Sequence, residues 1–425
     1  GLVFQQVFGI KELWGIDFFW IAAIGLVVLT ALYTIFGGMK SVLYTSVLQT
    51  PILLLGSLII LVLGFKELGG WDEMMRVCGA VTVNDYGDTM TNLIRSNDDA
   101  NFPWLGALIG SAIIGFWYWC TDQFIVQRVL SGKNEMEARR GTIFGAYLKL
   151  LPVFLFLIPG MIAFALHQKY IGAGGEGFLP MLANGTANAD AAFPTLVAKL
   201  LPAGVKGLVV CGILAALMSS LASLFNSSAM LFTIDFYKRF KPETPEKKLV
   251  GIGQIATIVI VVLGILWIPI MRSVGDVLYT YLQDVQSVLA PGIAAAFLLG
   301  ICWKRTSAQG GMWGLISGMV IGLTRLGAKV YYSNAGEVAD STFKYLFYDM
   351  NWLFFCGWMF LFCIIVVIVV SLATEAPTAE KIQGLVFGTA TKEQKAATRA
   401  SWNHWDIIHT VIILAITAAF YWYFW

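Results

Sequence analysis

Asp122 and Gln123 follow a run of four aromatics, Phe116 to Trp119, inside an otherwise apolar stretch, SAIIGFWYWCTDQFIVQRVL (111–130). A carboxylate and an amide at hydrocarbon depth are costly unless they face a cavity or a neighbouring helix. The pattern therefore predicts a discontinuous helix lining a polar path. On a regular helix Trp117, Tyr118 and Trp119 point in different directions, so one or two of them face a solute and the rest pack.

Three further groups of residues carry chemistry. In ILAALMSSLASLFNSS (213–228), Ala216, Ser219 and Ser220 fall at i, i+3 and i+4 and share one helix face, with Ser223 a turn further on. Hydroxyls and helix carbonyls are hard oxygen donors that suit a sodium ion without any carboxylate, and transporters build such sites at mid-membrane. The competing account is helix packing, because Ala215, Ser219 and Ser223 also form a small-xxx-small ridge. Lys149, in GAYLKLLPVF, lies about 12 Å into its span at 1.5 Å per residue, too deep for easy snorkelling, and suits a polar solute or a carboxylate partner. Gln283, in YLQDVQSVLAPG, precedes Pro291–Gly292, a pair that frees backbone groups within a span and so calls for polar surroundings. Gln283 is expected to face a cavity and Asp284 the outer water.

The elements that position these groups are membrane spans. The chain has 425 residues, of which 58% are hydrophobic and 13% charged, about half the charged share of a soluble domain. Apolar runs of membrane-spanning length recur along it, which predicts an all-α polytopic membrane protein forming one transmembrane domain. Ten spans are expected: 17–37, 42–65, 104–130, 141–167, 204–236, 249–270, 275–302, 309–330, 350–373 and 406–425. Lys and Arg concentrate in the turn at Lys40 and in 128–140, 238–248, 304–305 and 374–405, whereas the alternate loops are diluted by acids such as Asp72, Glu73, Asp85 and Asp88. The positive-inside rule puts the first set in the cytoplasm and both ends outside. AAFPTLVAKLLP (191–202) reads as a short interfacial helix, and 374–405 as a flexible tether.

Several classes are excluded. The six cysteines include no C-x-x-C pair, and no two histidines stand at ligand spacing, so neither a disulfide framework nor a metal cluster is indicated. A net charge of +2 with no basic run interleaved with aromatics argues against nucleic acid. No nucleophile–base pair appears at depth and no P-loop is present, so the chain reads as no enzyme.

Six segments together resemble one family. They are YTIFGGMKSVLYTSVLQ (33–49), WYWCTDQFIVQR (117–128), YLKLLPVFLFLIPGM (147–161), LMSSLASLFNSS (217–228), YLQ (281–283) and APGIAAAFLLGICWKR (290–305). In this order they are similar to the sodium/glucose cotransporter branch of the solute:sodium symporters. The resemblance implies a LeuT-like (APC-type) inverted-repeat transporter core, with several spans ahead of the residue aligned with Gly1. It implies Tyr118 as inner gate, Trp119 against a sugar, Lys149 and Gln283 as hydrogen-bond partners of its hydroxyls, and Ala216, Ser219 and Ser220 as sodium ligands, with Ser223 a further candidate. Ser46 stands where the family usually has an acid of a second cation site, so one sodium per sugar is expected.

The expected function is sodium-coupled import of a glucose- or galactose-like sugar by alternating access, with sodium, sugar and the lipid bilayer as partners. The alternatives are a symporter of myo-inositol or a sugar acid, and a sodium-dependent sugar sensor that does not transport. Low cysteine usage and short cytoplasmic connections point to a plasma membrane of the bacterial inner type. The sequence leaves the oligomeric state open.

Overall fold

A computed structural model describes the chain except residues 1, 183–184, 275–277, 335–338 and 425, and describes no side chains for 2, 6, 33, 36–46, 48, 270–274, 278–281 and 334. The side chains of Ser46 and of Tyr33–Ser41, apart from Thr34 and Ile35, thus lie outside the described residues. Almost all the regular structure is helical, with one two-residue hairpin, Glu12–Leu13 against Ile16–Asp17. Among the described residues eight helical stretches are long and apolar enough to cross a bilayer. Of the expected spans, 309–330 falls in the helix Ala308–Asn334, whose many glycines together with Arg325 and Lys329 make it less apolar.

The chain packs as two compact units. The first comprises Gly1–Val83, Thr89–Thr91 and Leu148–Ser273; the second comprises Asn84–Asp88, Asn92–Tyr147 and Val274–Trp425.

In the first unit, Phe18–Leu68 runs as a single helix of 51 residues. At roughly 77 Å it is more than twice the hydrocarbon thickness. The turn expected at Lys40 is absent from its backbone. Gly37–Gly38 alone costs a helix little beside a proline, and the only proline inside this one is Pro51. Asp17 starts the helix by accepting the Phe19 N–H at 3.0 Å, and Gly69 ends it in the left-handed conformation, φ 113°. Lys169 donates to the Leu68 carbonyl at 3.1 Å, which further satisfies that end. This long helix lies against Ala203–Met230, and small residues permit the approach. A side-chain carbon at Gly56 would meet Val209 at 2.5 Å, and one at Gly212 would meet Ile52 at 3.1 Å. The core is completed by Ile158, Ile162 and Leu166 from the helix Ile158–Gly172 and by Leu196 and Val197 from Ala192–Leu200. The expected interfacial helix is therefore a packed element, with Pro194 to Val197 buried.

In the second unit, Leu278–Cys302, Ala308–Asn334 and Trp352–Ala373 form a three-helix layer joined by Trp104–Phe116. Glycines at every fourth position, Gly310, Gly314, Gly318 and Gly322, face Ser371, Val367, Gly292 and Val288 in turn, and a side chain at any of the four would collide. Such a ridge lets backbones meet without a hydrophobic driving force from water. The tether expected over 374–405 is ordered. Lys392–Ala400 has a capping box at Thr391 and Gln394, the Phe387 N–H donates to the Ile301 carbonyl at 2.7 Å, and Arg305 donates to the Thr374 carbonyl at 2.7 Å.

Candidate solute and cation sites

The aromatic run sits where helical winding changes. After Trp104–Phe116 the backbone widens into a π-helical stretch, Trp117–Thr121, and leaves helical geometry at Asp122, ψ 120°. Asp122 then caps Gln123–Leu130 by accepting the Phe124 N–H at 3.0 Å, and Thr121 donates to the Trp117 carbonyl at 2.7 Å. A π stretch rotates the side chains after it relative to those before it, and such stretches recur at functional sites. Trp117 packs into a cluster with Ile113, Ile114, Ala290 and Ala294, so it belongs to the core. Tyr118 is half-buried and meets Trp119 edge to face at 5.3 Å, and Trp119 is 49% exposed. The π stretch packs directly against Leu278–Cys302, the helix that carries half-buried Gln283.

Asp284 departs from expectation. Its Oδ2 accepts from Lys329 Nζ at 2.6 Å, and its Oδ1 is 3.6 Å from Arg325 Nη2. Arg325 is fully buried, donates to the carbonyls of Met350 at 2.8 Å and Leu346 at 3.3 Å, and lies 4.1 Å over the Phe355 ring. The carboxylate is paired and not water-facing, because leaving it alone inside a span would be far more costly. Sequence reasoning missed this cluster. Its signal was two cations four residues apart, Arg325 and Lys329, within an otherwise uncharged span.

Lys149 belongs to the first unit, one turn before Pro152 on Glu135–Pro152, and is exposed. Pro152 lacks the N–H of a regular turn, and a π stretch, Val153–Leu157, follows it directly. The serine residues lie on Ala203–Met230, also in the first unit. Ala216, Ser219 and Ser223 continue the face that bears Gly212, which is turned to the long helix. Ser219 and Ser223 are buried there, whereas Ser220 is exposed. On the long helix Gln49 Oε1 and Ser57 Oγ are buried without a hydrogen-bond partner. Gln49 shares the stripe of Ile52 and Gly56 and stands about one turn from Ile52. Neither stood out in the sequence, since amides and hydroxyls in an apolar run read as packing. No group of three or more metal-type ligands occurs among the described residues. A separate crevice of about 830 Å³, lined by Val129, Leu130, Arg139, Ile143, Ile407 and Val411, holds none of the candidate residues.

These features define a multi-pass helical membrane protein with π-interrupted spans bearing polar groups at depth. The overall fold matches a solved Na+-coupled sialic acid symporter in its substrate-bound outward-open state, with TM-score 0.63 over 88% of this chain and 71% of that one, at 20% identity, which bears on fold alone. It is a LeuT-like transporter fold. The family model for the sodium:solute symporter family matches residues 5–318, and the chain belongs to that family. It is 34% identical to the bovine sodium/mannose cotransporter SLC5A10, over 96% of this chain and 72% of the relative. It is 35% identical to human sodium/myo-inositol cotransporter 2 and 37% identical to sheep sodium/glucose cotransporter 1. Those matches cover 87% and 88% of this chain but only 56% and 58% of the relatives.

Proposed function

We propose that the protein carrying this chain is a sodium-coupled symporter that imports a neutral monosaccharide of the glucose or galactose type by alternating access. The observation that carries the reading is the packing of the π stretch Trp117–Thr121, which holds Tyr118 and Trp119, against Leu278–Cys302, the helix that carries Gln283. Aromatic faces suit the C–H side of a sugar ring, and an amide both donates to and accepts from hydroxyls. Lys149 is assigned as a further donor to the solute. Sodium is assigned to Ala216, Ser219 and Ser220, with Ser223 next to them, and its gradient supplies the energy through differential stabilisation of two conformations. Low cysteine usage and short basic connections support a bacterial inner membrane as the location.

Two observations favour neighbouring readings. The identity to human sodium/myo-inositol cotransporter 2 favours a cyclic polyol, and the ammonium of Lys149 would also suit a sugar acid. A sensor that binds sugar without moving it keeps the same sites. The test is uptake of labelled glucose, galactose, mannose and myo-inositol by the full-length protein in proteoliposomes, with and without an inward sodium gradient. Sodium-driven accumulation of glucose or galactose is expected. Accumulation of myo-inositol alone would move the substrate class, sodium-dependent binding without accumulation would favour the sensor, and sodium independence would overturn the reading.

A further inference from the structure

The helix Leu278–Cys302 is held unevenly along its length. Pro291, inside it, lacks the N–H that would bond the Ser287 carbonyl one turn back. The Ser287 hydroxyl turns to the Asp284 carbonyl at 2.6 Å. Next to the proline the helix is fixed rigidly, because a side-chain carbon at Gly292 would lie 3.2 Å from the Gly318 Cα, and Val288 presses its carbonyl on Gly322. Towards Gln283 the packing changes in kind. There the helix meets Ala308–Asn334 through charge, by the contact of Asp284 with Lys329 at 2.6 Å and its approach to Arg325 at 3.6 Å.

Arg325 is a fixed post. It is bound to two carbonyls of the 346–350 segment and stacked on Phe355, so its position does not depend on Asp284 alone. Lys329 is 29% exposed and supplies the direct bond. Gln283 is the neighbour of Asp284 and stands about 100° from it around the helix axis. Any rotation or tilt of this end of the helix therefore moves the Gln283 amide.

We infer that Asp284 is a positioning residue for Gln283, and that its bridge to Lys329, braced by Arg325, sets the helical phase at which the Gln283 amide is presented to the solute. The inference rests on the assignment of Gln283 as a solute ligand. Breaking the bridge leaves Gln283 in place chemically and out of place geometrically. The solute is then held more weakly, while the serine helix, which belongs to the other unit, keeps its response to sodium.

The test uses the full-length protein in proteoliposomes with whichever of glucose, galactose, mannose or myo-inositol it accumulates. Gln283→Ala, Asp284→Asn, Lys329→Met and Lys329→Arg are compared at equal reconstituted amounts. Asp284→Asn and Lys329→Met are each expected to raise the solute KM roughly five- to tenfold, the size of one lost hydrogen bond. Vmax and half-saturating sodium are expected to stay put, and Lys329→Arg, which keeps a cation against Asp284, to keep most of the affinity that Lys329→Met loses. If Gln283→Ala leaves KM unchanged, the ligand assignment fails. If Gln283→Ala raises KM but neither bridge variant does, the positioning role fails. It also fails if the bridge variants lower Vmax and sodium response together and Lys329→Arg is as impaired as Lys329→Met. Should Asp284→Asn not reconstitute, Lys329→Met decides, because it removes the bridge without touching the helix that carries Gln283.

Discussion

Gly318 stands with its backbone against Gly292. A side-chain carbon at Gly318 would lie 2.9 Å from the Gly292 Cα and 3.2 Å from the Cys363 sulfur. Three helices of the second unit meet there, and neither neighbour offers a flexible end that could yield. Gly318→Ala is expected to destabilise the protein by about 1–3 kcal/mol through overpacking. Gly327→Ala is the control on the same helix, since nothing lies within 4 Å of the added carbon. It is expected to be neutral or to stabilise by up to about 1 kcal/mol through helix propensity. Thermal unfolding of the reconstituted protein followed by tryptophan fluorescence checks both, and equal losses in the two variants would refute the close-packing account.

Substitutions on the serine face tell a sodium-ligand role from a packing role. Ser219 and Ser223 are buried and Ser220 is exposed on the same helix. Ser219→Ala is nearly isosteric, so a packing role predicts little change, whereas a ligand role predicts an increase of roughly tenfold in half-saturating sodium from one lost oxygen. Ser220→Ala is expected to do the same despite its exposure. Ser228→Ala, further along the helix, is expected to leave sodium response unchanged. Sodium-dependence curves of uptake for the three variants are the measurement.

The loop before the aromatic helix contains a pH-dependent knot. Asp88 accepts from the Asn84 amide at 2.8 Å and the Ser96 N–H at 2.7 Å, which hold its carboxyl below the usual range. Burial works against the charged form of Asp99, but the N–H groups of Phe102 and Asn101, the Asn84 amide and Arg95 outweigh it and hold Asp99 low as well. Depressed carboxyls contribute stability that is present above their unfolded value of about 4 and is lost as pH falls through their lower folded values. Hydrogen-exchange protection of 84–103 is expected to be flat from neutral pH to about 5 and to decline only below about 4. Asn84→Ala is expected to move that decline upward.

Much of this was legible in the sequence because hydrocarbon is an unforgiving solvent. Asp122, Lys149, the Ser219–Ser220 pair and Gln283 stood out against apolar neighbours, and the break at Asp122 follows from the same cost. The long Phe18–Leu68 helix was not legible, since Gly37–Gly38 and Lys40 look like a turn by composition, yet no proline there forbids helix. The fate of Asp284 was hidden for a different reason. Its partners, Lys329 and Arg325, lie on another helix far along the chain, and pairing at that separation is a property of how the helices meet. The order in 374–405 was likewise set by remote partners, the Ile301 carbonyl and the Arg305 guanidinium, that the local polar sequence does not reveal.

Asp122 allows charge and capping to be told apart. Its backbone leaves the helix at ψ 120°, and its side chain accepts the Phe124 N–H at 3.0 Å, so it starts Gln123–Leu130 and fixes where the π stretch ends. Asp122→Asn keeps an acceptor in the capping position, because asparagine caps about as well as aspartate, and removes only the charge. Asp122→Ala removes the cap and costs about 0.5–2 kcal/mol at the join that sets the direction of Tyr118 and Trp119. If the residue works as a cap, Asp122→Asn transports solute with near-normal KM and Asp122→Ala raises it several-fold. The opposite result, in which Asp122→Asn is as impaired as Asp122→Ala, would assign the carboxylate charge a direct part in cation or solute handling. A parallel measurement of half-saturating sodium separates those two, since a carboxylate acting on the cation shifts sodium response first and solute KM second.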